Sequence, residues 1–451
     1  MTTLRAGDEQ ERGGWIAAGV AVAVRLAVAA WAGPRFPASA DGFYYDTLAR
    51  RLASGHGYTW LWPDGAVTNV AHYPVGYPAL LAVTYLVLGA RPLAAMVLNA
   101  IFGGVASYGV YRLVAERVSS RASAMGAAIV VAVHPALVPY AAAVMTEGIA
   151  AALAVGAAAL ACSRRSWSAW IAAGLVLGVA TLVRPQSLAF APFLGLLAPP
   201  APARWKTRAL AAACVTAATL AVCAPWTARN CVAMHKCSLV SVNGGWNLLI
   251  GAQTTNGAWQ PAAVPEECRT VWDEAGKDEC FGAAARRTIA RAPLAWLARA
   301  PAKLAVTFDY LGAGPWYLHE ANPRAFDEHA KVALGVVETA VTYVLLLAAL
   351  ARVGLSAGPR RGLRLGIVTA GVVLGAASLH GWVAYAALAA AIGAFGRRWL
   401  ARAPLLVPWT AAVIVLTAAT HVAFFGAGRY GLVIIPFVTA LAFVRPRAAE
   451  A

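Results

Sequence analysis

The sequence predicts an all-α polytopic membrane protein, a bundle of helices with two large loop regions on one side. Of its 451 residues, 60% are hydrophobic and only 13% are charged, whereas a soluble domain carries about a quarter charged residues. Apolar runs recur from Trp15 to Val444, and most are about as long as a membrane crossing requires. Basic residues cluster in the short gaps between these runs, at 112–121, 164–165, 204–208, 360–364, 397–402 and 445–447.

The net charge of +17 would suit nucleic acid, but its distribution does not. A nucleic-acid-binding protein concentrates basic residues on one soluble face among aromatic side chains. Here they follow the positive-inside pattern, which marks the basic gaps as cytoplasmic. The sequence therefore predicts a multi-pass protein of the bacterial inner (plasma) membrane. Its surroundings are membrane lipids, not nucleic acid, and its large loops face the periplasm or cell exterior.

The first apolar run, 15–33, is followed by Pro34, Arg35 and Phe36. This is not a small-residue cleavage site, so the run predicts an anchored first helix and not a signal peptide. Twelve further runs are candidate spans: 74–90, 92–116, 122–141, 145–162, 168–183, 186–199, 208–226, 330–352, 363–379, 380–396, 404–424 and 429–444. Thirteen crossings from an inside N-terminus would leave most basic gaps outside, so one early run should not cross.

The run 74–90 is the one that we interpret as a re-entrant or juxtamembrane helix. It is short, and Pro74, Gly76 and Pro78 break its first turns. Such irregular backbone is tolerated at membrane depth where protein buries it. Twelve crossings then put both termini inside. The predicted units are a transmembrane catalytic module with a first outer loop, an outer-face loop region and C-terminal transmembrane helices, at 1–226 (loop 34–91), 227–329 and 330–451.

Seven cysteines occur, without a metal-type CxxC spacing. Three lie in apolar runs, where packing is the simplest role: Cys162, Cys214 and Cys223. The other four lie in the second outer loop, where an oxidising compartment permits disulfides. Cys231 with Cys237 and Cys268 with Cys280 are the pairings local in sequence, although spacing alone does not fix connectivity.

Most acidic residues fall in the outer loops or at their boundary. Asp41 lies just beyond the first helix and could accept a proton from an attacking hydroxyl, or it could be a helix N-cap. Glu147 lies at the outer end of a hairpin between apolar runs. Ionisable residues at membrane depth are usually functional, and the alternative is a helix-start carboxylate. Glu338 lies in the middle of a predicted span. It could be a neutral acid that is hydrogen-bonded to a neighbour, or it could have a functional role.

Three arginines interrupt outer turns: Arg184 in TLVRPQS, Arg229 in PWTARN and Arg429 in FFGAGRYGL. Guanidinium groups bind phosphate bidentately, which suits a lipid-linked phosphate, whereas the alternative is snorkelling to headgroups. The outer histidines lack the tight spacing of a metal site, so no metal ligand is assigned. A divalent metal that bridges Asp41 and a distant histidine stays open, and no cofactor is certain.

Taken in order, these segments resemble the GT-C fold glycosyltransferases, nearest the bacterial relatives of the dolichyl-phosphate-mannose protein mannosyltransferases and the lipid A aminoarabinose transferases. The resemblance runs from about Arg25 to Phe437. Its markers are D-x-x-Y-Y with L-A-x-x-L (41–52), G-x-G-Y (55–58), Y-P-x-G-Y-P (73–78), T-E (146–147), R-P-x-S (184–187), P-W-x-x-R-N (225–230), N-G-G-x-N-L (243–248) and R-Y-x-x-x-x-x-P (429–436). A second acid that many members carry is Gly42 here.

The resemblance implies a GT-C-like bundle of about 12 transmembrane helices, with juxtamembrane helices in the two outward-facing loop regions. It implies an inverting hexosyl- or pentosyltransferase of the cell envelope that uses a polyprenyl-phosphate sugar, with a lipid, glycan or protein as acceptor. Asp41 would activate the acceptor hydroxyl, and Glu147, which resembles the second-loop acid, is the other catalytic candidate. Candidates for the donor phosphate are Arg184, Arg229, Arg429, Tyr430 and His72. Candidates for other substrate contacts are Tyr44, Tyr45, Asn243 and Asn247.

The alternative is a non-enzymatic transporter or flippase of lipid-linked sugars. A transporter should show repeat symmetry and broken helices near the bilayer midplane. In this sequence the irregular turns and the outward acids gather at one surface, which favours interfacial catalysis. A third hypothesis, a scaffold in an envelope-synthesis complex, predicts no sensitivity to changes at Asp41.

Overall fold

The computed structural model describes residues 2–116, 120–164, 166–200 and 202–446. Three of the basic residues in the predicted cytoplasmic gaps, Arg117, Arg165 and Arg447, lie outside the described residues. Regular structure in the described part is helical apart from one short antiparallel hairpin. This confirms the predicted all-α class.

The first half contains the hairpin and nine α-helices. They are α1 (Thr2–Ala32), α2 (Asp41–Ala53), β1 (Thr59–Leu61), β2 (Val67–Asn69), α3 (Gly76–Leu88), α4 (Pro92–Ala115), α5 (Arg121–Val133), α6 (Glu147–Arg164), α7 (Trp167–Val183), α8 (Phe190–Leu197) and α9 (Trp205–Ala233). Two 3₁₀ turns, Pro139–Ala142 and Pro185–Ala189, precede α6 and α8.

The second half begins with the short helices of the second loop region and returns to long apolar ones. They are α10 (Gly244–Gln253), α11 (Glu274–Arg291), α12 (Pro293–Leu297), α13 (Ala300–Phe308), α14 (Ala313–Ala321), α15 (Glu328–Leu355), α16 (Arg361–Ser378), α17 (Gly381–Gly393), α18 (Arg397–Leu400), α19 (Leu406–Ala423) and α20 (Ile435–Ala442). The 3₁₀ turns Glu266–Cys268 and Gly428–Val433 precede α11 and α20.

Six helices of the described chain are long and apolar enough to cross a membrane: α1 from Glu11, α4, α9, α15, α16 and α19. Six shorter apolar helices of 10–17 residues accompany them. The chain is therefore a multi-pass membrane protein, as predicted.

The run 74–90 forms α3, a helix of 13 residues. At 1.5 Å per residue such a helix is about 20 Å long, shorter than the roughly 30 Å of a hydrocarbon core. It packs against α2, α4 and α7. Gly76 makes this approach close, because a Cβ there would lie 2.5 Å from the backbone of Leu182 and Val183. The re-entrant interpretation of this run stays a prediction, and its first turn lies against the end of α7.

Three predicted spans are shorter or broken in the structure. The run 122–141 is helical only to Val133, because Pro135 disfavours helical geometry at His134. The runs 186–199 and 429–444 each begin as a 3₁₀ turn and continue as an eight-residue helix, α8 and α20. The irregular segments before α6, α8 and α20 converge at one end of the bundle.

The two loop regions meet over that end. The backbone N–H of Val242 donates to the Ala71 carbonyl at 2.9 Å, and the Glu274 carboxylate accepts from the N–H groups of Ala71 and His72 at 2.7 and 3.0 Å. Burial raises the pKa of Glu274, and these two donors act in the opposite direction. The connectivity that the sequence left open is the local one: Cys231–Cys237 and Cys268–Cys280 are disulfides. They tie the second region together.

Candidate active site

Asp41 is the first residue of α2, and Ala40 precedes it as the N-cap with φ 50°. The alternative that Asp41 serves as the N-cap is therefore wrong. Its carboxylate instead makes long-range contacts: Oδ2 lies 2.9 Å from Nη2 of Arg429, and Oδ1 accepts from the Tyr73 hydroxyl at 3.4 Å. About a third of the side chain is exposed (35%), so a ligand can reach it.

Glu147 begins α6 and is 1% exposed. Oε1 lies 2.5 Å from Nη1 of Arg184 and 3.4 Å from Nε of Arg429. Oε2 accepts from the Tyr140 hydroxyl at 2.6 Å. Removal of one partner from a buried ion pair leaves an uncompensated charge, which costs several kcal/mol. Both oxygens of Glu147 are satisfied, so the carboxylate is stable here as an anion.

Arg429 joins the two acids, because it contacts Asp41 and Glu147 at once. Among the described residues, its Nη1 has only a weak contact, with the Met145 sulfur at 4.0 Å. Arg184 is more fully engaged: Nη1 also donates to Thr146 Oγ1 at 2.9 Å. The Gln186 amide oxygen, turned toward Arg184, accepts from Nε and Nη2 at 2.7 Å. Arg429 therefore retains the guanidinium donor that is available to a ligand.

Tyr430 lies beneath both guanidinium groups. Its ring centroid is 5.0 Å from the Arg184 Cζ and 5.2 Å from the Arg429 Cζ, and the ring of His421 stacks on it at 4.2 Å. Cations over an aromatic face are attracted by the ring quadrupole. Its hydroxyl lies 3.4 Å from Arg429 Nη2. We call Asp41, Glu147, Arg184, Arg429 and Tyr430 the charge cluster.

The exposure of the charged side chains decreases from one side of the charge cluster to the other. Side-chain exposure is 35% at Asp41, 24% at Arg429, 13% at Arg184 and 1% at Glu147. Two carboxylates and two guanidinium groups balance in formal charge. A ligand that enters meets Asp41 and Arg429 first, and Glu147 with Arg184 forms the inner support.

The two tyrosines of α2 have different environments. Tyr44 and Tyr45 follow Asp41 by three and four residues and so share its face of the helix. Tyr45 is buried against the rings of Tyr73 and Tyr77 at 5.2 and 5.4 Å. Tyr44 is 39% exposed and stacks on Tyr73 at 4.9 Å. Of the two predicted substrate contacts, Tyr44 is therefore the accessible one.

Arg229 is not part of the charge cluster. Its guanidinium donates to the carbonyls of Val70 and Tyr58, both at 2.9 Å, and lies 4.8 Å from the Trp226 ring centroid. Within the described residues its contacts hold the first loop region against α9. Its assignment to the donor phosphate stays a prediction. In this structure its guanidinium stabilises the packing of the first loop region.

His72, Asn243 and Asn247 lie in the layer formed by the two loop regions. Burial lowers the pKa of His72, while the carboxylates of Asp278 and Asp41 act in the opposite direction. Its ring is 6.1 Å from that of Trp246. Asn243 precedes α10 and accepts from the Ser241 hydroxyl at 2.9 Å, and Asn247 is on α10 itself. Their substrate roles stay predictions.

The acids do not form a donor set for a divalent cation. Arg429 lies between Asp41 and Glu147, so a positive charge of the protein itself already joins the two carboxylates. In the part of the chain that the structure describes, no group of three or more His, Cys, Asp or Glu side chains could hold a metal ion.

The sequence did not indicate that Tyr140 and Gln186 support the site, by contacts to Glu147 and Arg184. It also did not indicate that Tyr73 donates a hydrogen bond to Asp41. Tyr73 belongs to the Y-P-x-G-Y-P motif, and Gln186 to R-P-x-S. Those motifs marked the right segments without showing which side chain turns inward. Tyr140 gave only one signal, a phenol in an otherwise apolar turn seven residues before Glu147.

Residues 72–228, about a third of the chain, match the model of the family described as dolichyl-phosphate-mannose-protein mannosyltransferase. The matched part contains Glu147 and Arg184, and it excludes Asp41, Arg229 and Arg429. The predicted resemblance to the GT-C glycosyltransferases is confirmed. No protein of curated function matches this sequence.

Among solved structures, the chain is similar to the Archaeoglobus fulgidus oligosaccharyltransferase in complex with Zn and sulfate, with a TM-score of 0.43 and 15% identity. That alignment covers 94% of this chain and 48% of the other, so this chain spans about half the length of that relative. ArnT from Cupriavidus metallidurans bound to undecaprenyl phosphate gives a TM-score of 0.39 at 15% identity, and its apo state gives 0.38 at 14%. Both alignments cover 95% of this chain and 76% of ArnT.

Proposed function

We propose that this chain is an inverting glycosyltransferase. It moves a sugar from a polyprenyl-phosphate-linked donor to an acceptor hydroxyl, at the periplasmic face of a bacterial inner membrane. The observation that carries the proposal is the bridge from Asp41 through Arg429 to Glu147. It brings an accessible carboxylate next to a guanidinium with a free donor. The match of residues 72–228 to a family of sugar transferases supports the same reaction class.

Asp41 is the proposed general base. Arg429 engages its Oδ2 at 2.9 Å, whereas the only described partner of Oδ1 is the Tyr73 hydroxyl at 3.4 Å. Oδ1 can therefore accept a hydrogen bond from an acceptor hydroxyl and then its proton, as general-base catalysis requires. The hydroxyl oxygen attacks the anomeric carbon while the bond from that carbon to the phosphate oxygen breaks. One displacement of this kind inverts the anomeric centre.

Arg429 is the proposed ligand of the leaving phosphate. Negative charge grows on the phosphate oxygen as the glycosidic bond breaks, and fixed donors aimed at such charge lower the barrier. In the part of the chain that the structure describes, Nη1 of Arg429 contacts only the Met145 sulfur at 4.0 Å, so this donor can turn to a phosphate oxygen. The Tyr430 hydroxyl, 3.4 Å from Nη2, is the next polar group on the same side.

Glu147 and Arg184 have a positioning role in this proposal. Glu147 contacts both guanidinium groups and is too buried to meet substrate directly. Thr146 and Gln186 fix Arg184 in turn. A site supported in this way keeps its donors in one geometry before the substrate arrives.

Asp41→Asn tests the proposal in native membranes supplied with radiolabelled polyprenyl-phosphate sugar. We expect transfer to fall by roughly 10²–10⁴-fold, which is the usual contribution of a general base. Asp46→Asn is the matched control, because Asp46 lies on the same helix but is engaged by Arg50 at 2.7 Å and Tyr85 at 2.5 Å. Transfer at the wild-type rate by Asp41→Asn would remove Asp41 from the chemistry.

A further inference from the structure

Beside Asp41, four aromatic side chains form a continuous surface that we call the aromatic platform: Phe43, Tyr44, Trp60 and Tyr73. Tyr44 is central. Its ring centroid is 4.9 Å from Tyr73 with an 18° interplanar angle, 5.5 Å from Trp60 and 5.5 Å from Phe43. Phe43 and Trp60 close the group at 6.5 Å. The rings come from α2, β1 and the segment before α3, so three separate parts of the first loop region build one surface.

The aromatic platform is open. Phe43 is 54% exposed and Tyr44 is 39% exposed, whereas Tyr45 and Tyr77 on the other side of Tyr73 are 7% and 0% exposed. The group is thus accessible on the side of Phe43 and Tyr44. Exposed apolar patches rimmed by polar groups mark sites of interaction. The polar groups at its border are the Asp41 carboxylate and the Tyr73 hydroxyl, which donates to that carboxylate at 3.4 Å.

The aromatic platform begins at the proposed base. Asp41 and Tyr44 are one helical turn apart on α2, a rise of about 5 Å, which is comparable with the length of one sugar ring. Tyr73 links the two directly, because its hydroxyl donates to Asp41 and its ring stacks on Tyr44. A ligand that covers the Tyr44 ring therefore extends its next unit to Asp41.

The chemistry of this surface fits a carbohydrate. A pyranose ring has an apolar face of C–H groups and a rim of hydroxyls, and the negative face of an aromatic ring attracts C–H groups. Polar rim residues meet the hydroxyls. An acyl chain, in contrast, has no hydroxyl to donate to the Asp41 carboxylate at the border of the platform.

We propose that the aromatic platform binds a glycan acceptor, with an inner sugar residue on Tyr44 and Trp60 and the terminal residue at Asp41. This inference rests on the proposed function and names its acceptor class. The proposed binding surface does not include the tip of the β1–β2 hairpin, which is also exposed. There Leu61, Trp62 and Val67 are 53%, 48% and 55% exposed, and Trp62 Nε1 donates to Thr68 Oγ1 at 2.9 Å.

Saturation-transfer NMR on the full chain in nanodiscs tests the proposal, with cellotetraose, maltotetraose, mannotetraose and chitotetraose as probes. We expect at least one tetrasaccharide to receive saturation from the protein. Tyr44→Ala and Trp60→Ala should each weaken binding by about five-fold or more, as the loss of an aromatic stack predicts. Tyr44→Phe keeps the ring and should bind as the wild type does. Trp62→Ala is the matched control from the hairpin tip and should also bind normally.

Three results would overturn the glycan assignment. They are no saturation of any of the four tetrasaccharides, equal binding by Tyr44→Ala and the wild type, and a Ser/Thr-rich hexapeptide that binds through Tyr44 in place of the sugars. Thermal midpoints of Tyr44→Ala and Trp62→Ala, compared in the same nanodiscs, separate lost binding from lost folding. Loss of transfer in Asp41→Asn without any sugar binding would refute this inference alone. Sugar binding with full transfer by Asp41→Asn would refute the proposed function alone.

Discussion

Glu147 and Glu338 are both completely buried, at 1% and 0% exposure, and their surroundings are opposite. Glu147 meets two guanidinium groups and a phenol at the end of the bundle. Glu338 lies within α15, and neither of its oxygens has a hydrogen-bond partner in the described part of the chain. Gly314 passes close to it, since a Cβ there would lie 3.0 Å from Oε1. Burial alone therefore does not distinguish the two acids, and their charge partners do.

The first prediction concerns Glu147, the acid with charge partners, and has the largest expected effect. Glu147→Gln keeps the shape of the side chain but removes the charge that Arg184 and Arg429 share. A buried charge that loses its partner destabilises a protein by about 3–5 kcal/mol, and we expect a loss near the lower end because the amide oxygen still accepts hydrogen bonds. Transfer should fall with it, because Arg429 loses its orientation. The free energy of unfolding in detergent and the sugar-transfer rate measure the two effects.

Glu338→Gln is the matched control for this experiment. The same isosteric change at a site without charge partners should leave both quantities near their wild-type values. A similar loss of stability in the two variants would mean that burial, and not pairing, accounts for the behaviour of Glu147.

The second prediction extends the comparison to the arginines. Arg229 donates to backbone carbonyls, whereas Arg429 meets carboxylates. Arg229→Met leaves the Tyr58 and Val70 carbonyls without these donors, which should cost about 1–3 kcal/mol of stability. It should not change the affinity for undecaprenyl phosphate, used as a probe of the donor lipid. Arg429→Met should weaken that affinity.

Titration of both variants with undecaprenyl phosphate, beside their thermal midpoints, decides this point. If Arg229→Met lost affinity while it kept wild-type stability, Arg229 would return to the list of phosphate ligands that its motif suggested.

The sequence predicted the class of the fold and both acids of the charge cluster, because these leave local signals. Apolar runs set α4, α9 and α15, and the outward turns before α6 and α8 marked Glu147 and Arg184. The end of α5 at Val133 was also readable in principle from Pro135. Local composition and turn chemistry are sufficient for this much.

The remaining contacts could not be predicted because they join segments far apart in the chain. Arg429 contacts Asp41 and Glu147, although both acids lie in the first third of the chain. Neither periodicity nor spacing records such a pairing. Arg229 and Arg184 have similar settings in sequence, each next to Pro or Asn. Only the packing of the first loop region on α9 turns Arg229 toward the carbonyls of Tyr58 and Val70.

The smallest expected effect is at Glu338. The direction of the change in the free energy of unfolding distinguishes this acid from Glu147. Replacement of a buried polar group that lacks partners by an apolar group of similar shape is nearly neutral or stabilising. Glu338→Met should therefore leave the free energy of unfolding unchanged or raise it by up to about 1 kcal/mol, opposite in direction to Glu147→Gln, with transfer unaffected. Denaturant unfolding in detergent measures this difference. A clear loss of stability would show that Glu338 has a partner in the membrane, and the contrast between the two acids would then be one of degree.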